Sequence, residues 1–154
     1  IIAPSIKSSL TKNDLNPFMI EPISLHQDIY YSIYYKNFFT ARIVHKIGRL
    51  IQSMKNKMKN QNLSNNKIYA PHGSCMIFNK DFFLNGGFLE TGFTMYGEEV
   101  STAEIAKKIN SEIIYFPSLS LIHNDHQSTG QSSLRENFLH SKSTYYFLKK
   151  KYRS

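Results

Sequence analysis

The sequence predicts an α/β fold, a mixed sheet with flanking helices, and three observations carry that prediction. Short apolar runs at 1–4, 75–78, 112–116 and 119–122 read as buried or edge strands. Apolar residues recur at intervals of three and four in 28–58, 98–109 and 134–152, the spacing of amphipathic helices. The 41 % apolar share, with 14 % aromatics, is that of a globular chain, and no run approaches the ~18 apolar residues of a membrane-spanning helix.

The elements follow in order. Ile1-Ile2-Ala3 is expected to end a strand at Pro4, which cannot donate to a ladder. From 5 to 27 the polar residues with Pro17 and Pro22 predict an irregular connection. Asp28 is the expected cap of a helix carrying Ile29, Ile33 and the rings of Tyr30, Tyr31, Tyr34, Tyr35, Phe38 and Phe39, too apolar all round to stand exposed. A second helix follows with Ile43, Ile47, Leu50, Ile51, Met54 and Met58 on one stripe and Arg42, Lys46, Arg49, Lys55 and Lys59 mostly off it. Such a stripe can pack into a core or lie on an anionic membrane.

After a polar break at 60–66, Cys75-Met76-Ile77-Phe78 is expected to form a buried strand. Residues 79–87 predict a short helical turn closed by Gly86, which can take positive φ. A helix is expected from Glu98 to Ile109, with Lys107 and Lys108 in its last turn and Asn110 as a left-handed cap. Residues 112–116 and 119–122 predict two strands around Pro117-Ser118, and 134–152 a final amphipathic helix.

At 154 residues the chain has room for one ordinary domain. Its net charge of +8 points to anionic partners, whether nucleic acid, anionic lipid or phosphorylated substrates. Positive charge gathers at 42–67 and 142–153, and carboxylates at 90–104, which predicts an acidic site on a basic body. Nucleic-acid recognition needs a recognisable module or exposed aromatics interleaved with the basic surface, and only the charge is present. The single Cys75 excludes an internal disulfide and fits a reducing, cytoplasmic setting. The opening Ile1-Ile2-Ala3-Pro4, with neither Met nor leader, reads as a cut from something longer.

The chemistry centres on Met95-Tyr96-Gly97-Glu98-Glu99. Two carboxylates at a helix start offset the partial positive charge of unpaired N–H groups, by roughly 0.3–1 kcal/mol each. They acquire another use if one sits partly buried beside the other, because both effects raise its pKa and improve it as a base. Gly97 is expected to let a substrate approach closely. His123 and His126, with Asp125, offer imidazole and carboxylate ligands for a divalent metal or a diphosphate, and His72 beside Gly73 is a further candidate. No glycine-rich phosphate loop, nucleophile elbow or zinc-finger spacing occurs.

Taken in order, Gly73-Ser74-Cys75-Met76-Ile77-Phe78-Asn79-Lys80-Asp81-Phe82, Gly86-Gly87-Phe88, Tyr96-Gly97-Glu98-Glu99-Val100, Ile113-Ile114-Tyr115-Phe116-Pro117 and His123 resemble the C-terminal half of family 2 glycosyltransferases, rhamnosyltransferase-like in character. The resemblance is strongest over 68–130 and weakest over a helical insert at 17–66. It implies the C-terminal portion of a Rossmann-like GT-A fold, with 1–130 as the acceptor-side part and 131–154 as a C-terminal amphipathic helix. It implies an inverting transfer from a nucleotide-sugar donor to a glycan or lipid-linked acceptor, in bacterial surface polysaccharide synthesis, at the inner face of the cytoplasmic membrane.

By that resemblance Glu99 is the catalytic base and Glu98 its support, with substrate contacts at His72, Gly73, Tyr96 and Gly97. His123 matches a histidine that can face a divalent metal, Mg or Mn, otherwise held by an Asp-x-Asp motif absent from this sequence. The donor half would therefore lie outside these residues, leaving them inactive alone. Ser101, Ile105 and Asn110 stand where the family often has Asp, Arg and Gly. Two other readings stand beside this one: a non-catalytic basic module for nucleic acid or anionic membrane, and a degenerate glycosyltransferase that scaffolds a complex.

Overall fold

The structure, a computed structural model, describes residues 1–55, 66–124 and 133–153, with side chains of 47–55 excepted. The elements run β1 (Ile2–Ser8), α1 (Leu25–Tyr34), α2 (Phe38–Lys55), α3 (Lys80–Leu84), α4 (Glu98–Lys108), β2 (Ile114–His123) and α5 (Leu134–Tyr152). The chain divides into two compact units, one of Ile1–Pro22 with Asn66–Ser154 and one of Ile23–Asn65. The fold is mixed α/β.

In the first unit β1 and β2 pair in parallel. Their register jumps between Pro4 opposite Phe116 and Ser5 opposite Ser120. That bulge corrects two expectations. Pro4 does not end its strand, and Pro117 does not divide 112–122 into two strands, because a residue without an N–H costs the ladder nothing where the ladder is already interrupted. The expected strand at 75–78 reduces to one antiparallel bridge between Ile77 and Ile2, and a second bridge joins Lys67 to Ile114. The mixed sheet is thus a small parallel pair with isolated antiparallel bridges at its margins.

Against it lies a core of Ala3, Ile68, Ala70, Phe82, Ala103, Ile105, Ala106 and Ile113. Withdrawing a side chain such as Ile105 or Phe82 from water stabilises the fold by roughly 1.5–3 kcal/mol each before entropy is counted. Three helices follow the pattern of the sequence. Asn79 caps α3 through its side chain, and Gly86 takes φ 90° just beyond its end. α4 has Glu98 and Glu99 in its first turn, Lys107 and Lys108 in its last, and Asn110 at φ 54° after it. Ser133 and Glu136 form a reciprocal capping box that opens α5.

α5 is tied down at both ends. Near its start the Tyr96 hydroxyl donates to Asn137 Oδ1 at 3.0 Å, and at mid-helix Thr144 Oγ1 donates to the Met95 carbonyl at 2.6 Å. At its end Lys151 pairs with Glu90, and the Tyr152 hydroxyl donates to the same carboxylate at 2.6 Å. Burial works against the Glu90 charge, but these donors and the Gly92 N–H hold its carboxyl below the ordinary range. α5 therefore braces the chain at the 95–97 turn and ahead of it at Glu90.

In the second unit Ser24, not Asp28, caps α1, through a capping box with Gln27. Asp28 falls in the first turn, where its charge still suits the helix dipole. No residue of α1 is buried, contrary to the expectation for so apolar a helix. On α2 Ala41 is buried while Ile43, first of the expected stripe, is exposed. The next stripe members, Ile47, Leu50, Ile51 and Met54, fall where only backbone is described, and Met58 lies outside the described residues, as do Asp125 and His126. No helix among the described residues is long and apolar enough to cross a membrane.

Candidate functional site

The site is built where α4 begins. The chain enters α4 through Tyr96, whose φ of 66° is left-handed and unusual for a non-glycine residue. It then reaches the buried N-cap Gly97, which has no side chain to cap the helix. Glu98 supplies the missing acceptor: its Oε2 takes the Gly97 N–H at 2.9 Å. Space beside Gly97 is filled by Thr144 and Phe93, with a hypothetical Cβ lying 2.7 Å from Thr144 Cγ2. This glycine thus lets Thr144 of α5 and Phe93 pack closely at the start of α4.

The two carboxylates converge on Gly73. The Gly73 N–H donates to Glu99 Oε1 at 3.2 Å. A Cβ on Gly73 would stand 2.6 Å from Glu98 Oε1 and 2.7 Å from Glu99 Oε1. Glu98 is exposed, but Glu99 is partly buried. That burial, and next the charge of Glu98, push the Glu99 carboxyl up to about 7, against the opposing pull of backbone N–H donors, Gly73 among them. A carboxyl poised near neutrality can hold or release a proton where most glutamates only carry charge.

A cleft of about 460 Å³ opens beside this pair, lined by Gly73, Cys75, Phe78, Glu90, Glu98 and Thr102 among others. That volume is in the range of small-molecule sites. Glu98 faces the cleft while Glu99 lies against the Gly73 backbone at its margin. Cys75, expected as a buried thiol, is only partly buried and lines the same wall. A larger cleft of about 690 Å³, between Ile20, Tyr69, Ala106 and Ile113, contains none of the residues expected from the sequence. The acid–base chemistry places the candidate site in the smaller one.

His72 joins the assembly at Gly73. Its Nδ1 lies 2.9 Å from Ser74 Oγ, and its ring is 6.0 Å from that of His123 at the end of β2. Structure thus brings Glu98, Glu99, His72, Gly73 and His123 to one end of the parallel pair, whereas the Tyr96 side chain turns to Asn137 on α5. Among the described residues no group of three or more His, Cys, Asp or Glu is placed to hold a metal. His123 is the one candidate metal donor of the 123–126 cluster within the described residues; Asp125 and His126 lie outside them.

Two residues with no sequence signal set this geometry. Buried Asn16 donates through Nδ2 to the Pro4 carbonyl at 2.8 Å and accepts the His72 N–H at 2.8 Å, linking β1 to the His72-Gly73 segment. Asp14 accepts hydrogen bonds from Ser5 Oγ at 2.5 Å, the Ile6 and Asn16 N–H groups, and the Tyr115 hydroxyl at 2.9 Å. Burial opposes its charge, yet these donors hold its carboxyl below the usual range. Asn16 shares its type with Asn13 in the same loop, and only the fold selects between them.

No protein-family model, no curated protein and no solved structure matches this chain.

Proposed function

We propose that this chain is the acceptor-side part of an inverting glycosyltransferase that moves a sugar from a nucleotide-sugar donor to a glycan or lipid-linked acceptor, in bacterial surface-polysaccharide synthesis on the cytoplasmic side of the membrane. The observation that carries this reading is Glu99, partly buried beside Glu98 and Gly73, with its carboxyl raised to about 7. If both residues served only the helix dipole, both would be expected in solvent, as Glu98 is; burial of Glu99 opposes its charge, and its hydrogen bond from the Gly73 N–H offsets that only in part.

In this reading the Glu99 carboxylate accepts the proton of an acceptor hydroxyl as that oxygen bonds to the anomeric carbon of the donor sugar. The bond from that carbon to the diphosphate oxygen breaks on the opposite face. Its electron pair leaves with the nucleoside diphosphate, and configuration at the carbon inverts. Glu98 sustains the raised pKa of Glu99 and faces the cleft where an acceptor would lie. A divalent ion, when bound, would offset the charge gathering on the leaving diphosphate. A donor-binding portion carrying the Asp-x-Asp motif completes the enzyme.

The pH dependence tests the base. Glu99 must be ionised to accept a proton, so kcat/KM of the intact transferase is expected to rise with pH through about 7 and level off above it. Removing the like charge with Glu98→Gln should move that rise to lower pH. A rate that is flat across neutrality, or a limb that Glu98→Gln leaves in place, would count against Glu99 as the base.

A further inference from the structure

The compact unit 23–65 carries seven Lys and Arg residues against the single carboxylate of Asp28, so six of the eight net positive charges of the chain fall in this segment. Within its described residues several apolar side chains stand in solvent. Ile29 and Ile33 are each 52 % exposed on α1, four residues apart and so on one face. On α2 Phe39 is 73 % exposed and Ile43 47 %, while Ala41 is 3 % exposed.

The geometry of α2 sorts these residues. At 3.6 residues per turn, Phe39, Arg42, Ile43 and Lys46 fall within a sector about 100° wide, and Ala41 points away from it. Arg42 and Lys46 are both exposed. One face therefore offers rings and aliphatic chains flanked by cations, while the opposite side is the packed one. α1 adds a tyrosine-rich surface in which Tyr30 stacks on Tyr34 at 6.1 Å and Tyr31 on Tyr35 at 6.2 Å. Tyrosine favours the headgroup level of a bilayer, where its ring is partly dry and its hydroxyl wet.

We propose that the 39–46 face of α2 docks on the surface of an anionic phospholipid bilayer, with Phe39 and Ile43 entering the headgroup boundary and Arg42 and Lys46 meeting lipid phosphates. Charge complementarity selects the occupant: the face needs an acidic partner and a medium that accepts aliphatic side chains, and an anionic bilayer supplies both. Nucleic acid supplies the charge but no place for Ile29, Ile33 or Ile43. This inference does not depend on sugar transfer.

The test is sedimentation of the full chain with vesicles of phosphatidylcholine alone and of equal parts phosphatidylcholine and phosphatidylglycerol. Binding is expected to the anionic vesicles only and to weaken as salt is raised. At about one kcal/mol per basic residue near the surface, the double variant Arg42→Gln, Lys46→Gln should bind roughly 30-fold more weakly. Because the chain contains no tryptophan, Phe39→Trp gives a clean reporter. Its emission should shift to the blue on the anionic vesicles. Circular dichroism of each variant checks that α1 and α2 persist. Absence of binding to anionic vesicles, undiminished binding by the folded double variant, an unshifted Phe39→Trp spectrum in the bound state, or tighter binding to duplex DNA than to vesicles would each overturn the proposal.

Discussion

Glu99→Gln in the proposed intact transferase is expected to lower kcat by ~10²–10⁴-fold while donor binding is unchanged, because the substitution keeps the shape of the side chain and removes the proton acceptor. Stability provides a control for this loss. The folded-state pKa of Glu99 lies above its ordinary value of 4.5, so the folded chain binds the extra proton between about 4.5 and 7, and the stability associated with it is lost as pH rises through that window. Glu99→Gln removes the buried charge and should be at least as stable as the parent above neutrality. A variant that is slow and stable matches a catalytic base, and one that turns over normally would end the assignment. Because Glu98 lines the cleft, Glu98→Gln belongs in the same experiment: a loss confined to Glu98→Gln would transfer the role to that carboxylate.

Gly73→Ala is expected to cost about 10²-fold in kcat with little change in thermal stability, since displacing a reacting group by about 1 Å has an effect of that size. No positive φ is involved at Gly73; the constraint is space. The new methyl would sit 2.6 Å from Glu98 Oε1, 2.7 Å from Glu98 Cγ and 2.7 Å from Glu99 Oε1. Carboxylate ends can swing away, so the fold survives while the site is displaced. Turnover of Gly73→Ala at the parent rate would show that the arrangement of the two carboxylates about Gly73 has no bearing on the reaction.

How much of this was legible in the sequence depended on how local the cause was. The start of α4 was readable because Glu98, Glu99, Lys107, Lys108 and Asn110 all act within one helix, through its dipole and its left-handed exit. Asn79 with Gly86 was readable for the same reason. The Ser24 capping box was also written locally, as Ser24 with Gln27 three residues on, but Asp28 offered a competing cap.

The sheet was less readable. Pro4 and Pro117 look like strand ends until the bulge that accommodates both is seen, and that bulge exists only in the pairing of segments more than 100 residues apart. The site shows the same division. Two adjacent carboxylates mark Glu98 and Glu99 as candidates, yet Glu99 is distinguished by its partial burial and by a hydrogen bond from the Gly73 N–H, 26 residues away. Asn16 reaches His72 over 56 residues and has no local mark at all. Exposure of Ile29 and Ile33 ran against the expectation that so apolar a helix hides its faces, whereas for Ile43 the sequence left core and membrane surface both open.

The most direct measurement is the titration of the Glu99 side-chain carboxyl carbon by ¹³C NMR, assigned with Glu99→Gln and repeated in Glu98→Gln. Glu99 is expected to titrate near 7 in the parent chain and at lower pH once Glu98 is neutral. Titration near the ordinary glutamate value of 4.5, with no response to Glu98→Gln, would contradict a buried, poised base at the start of α4.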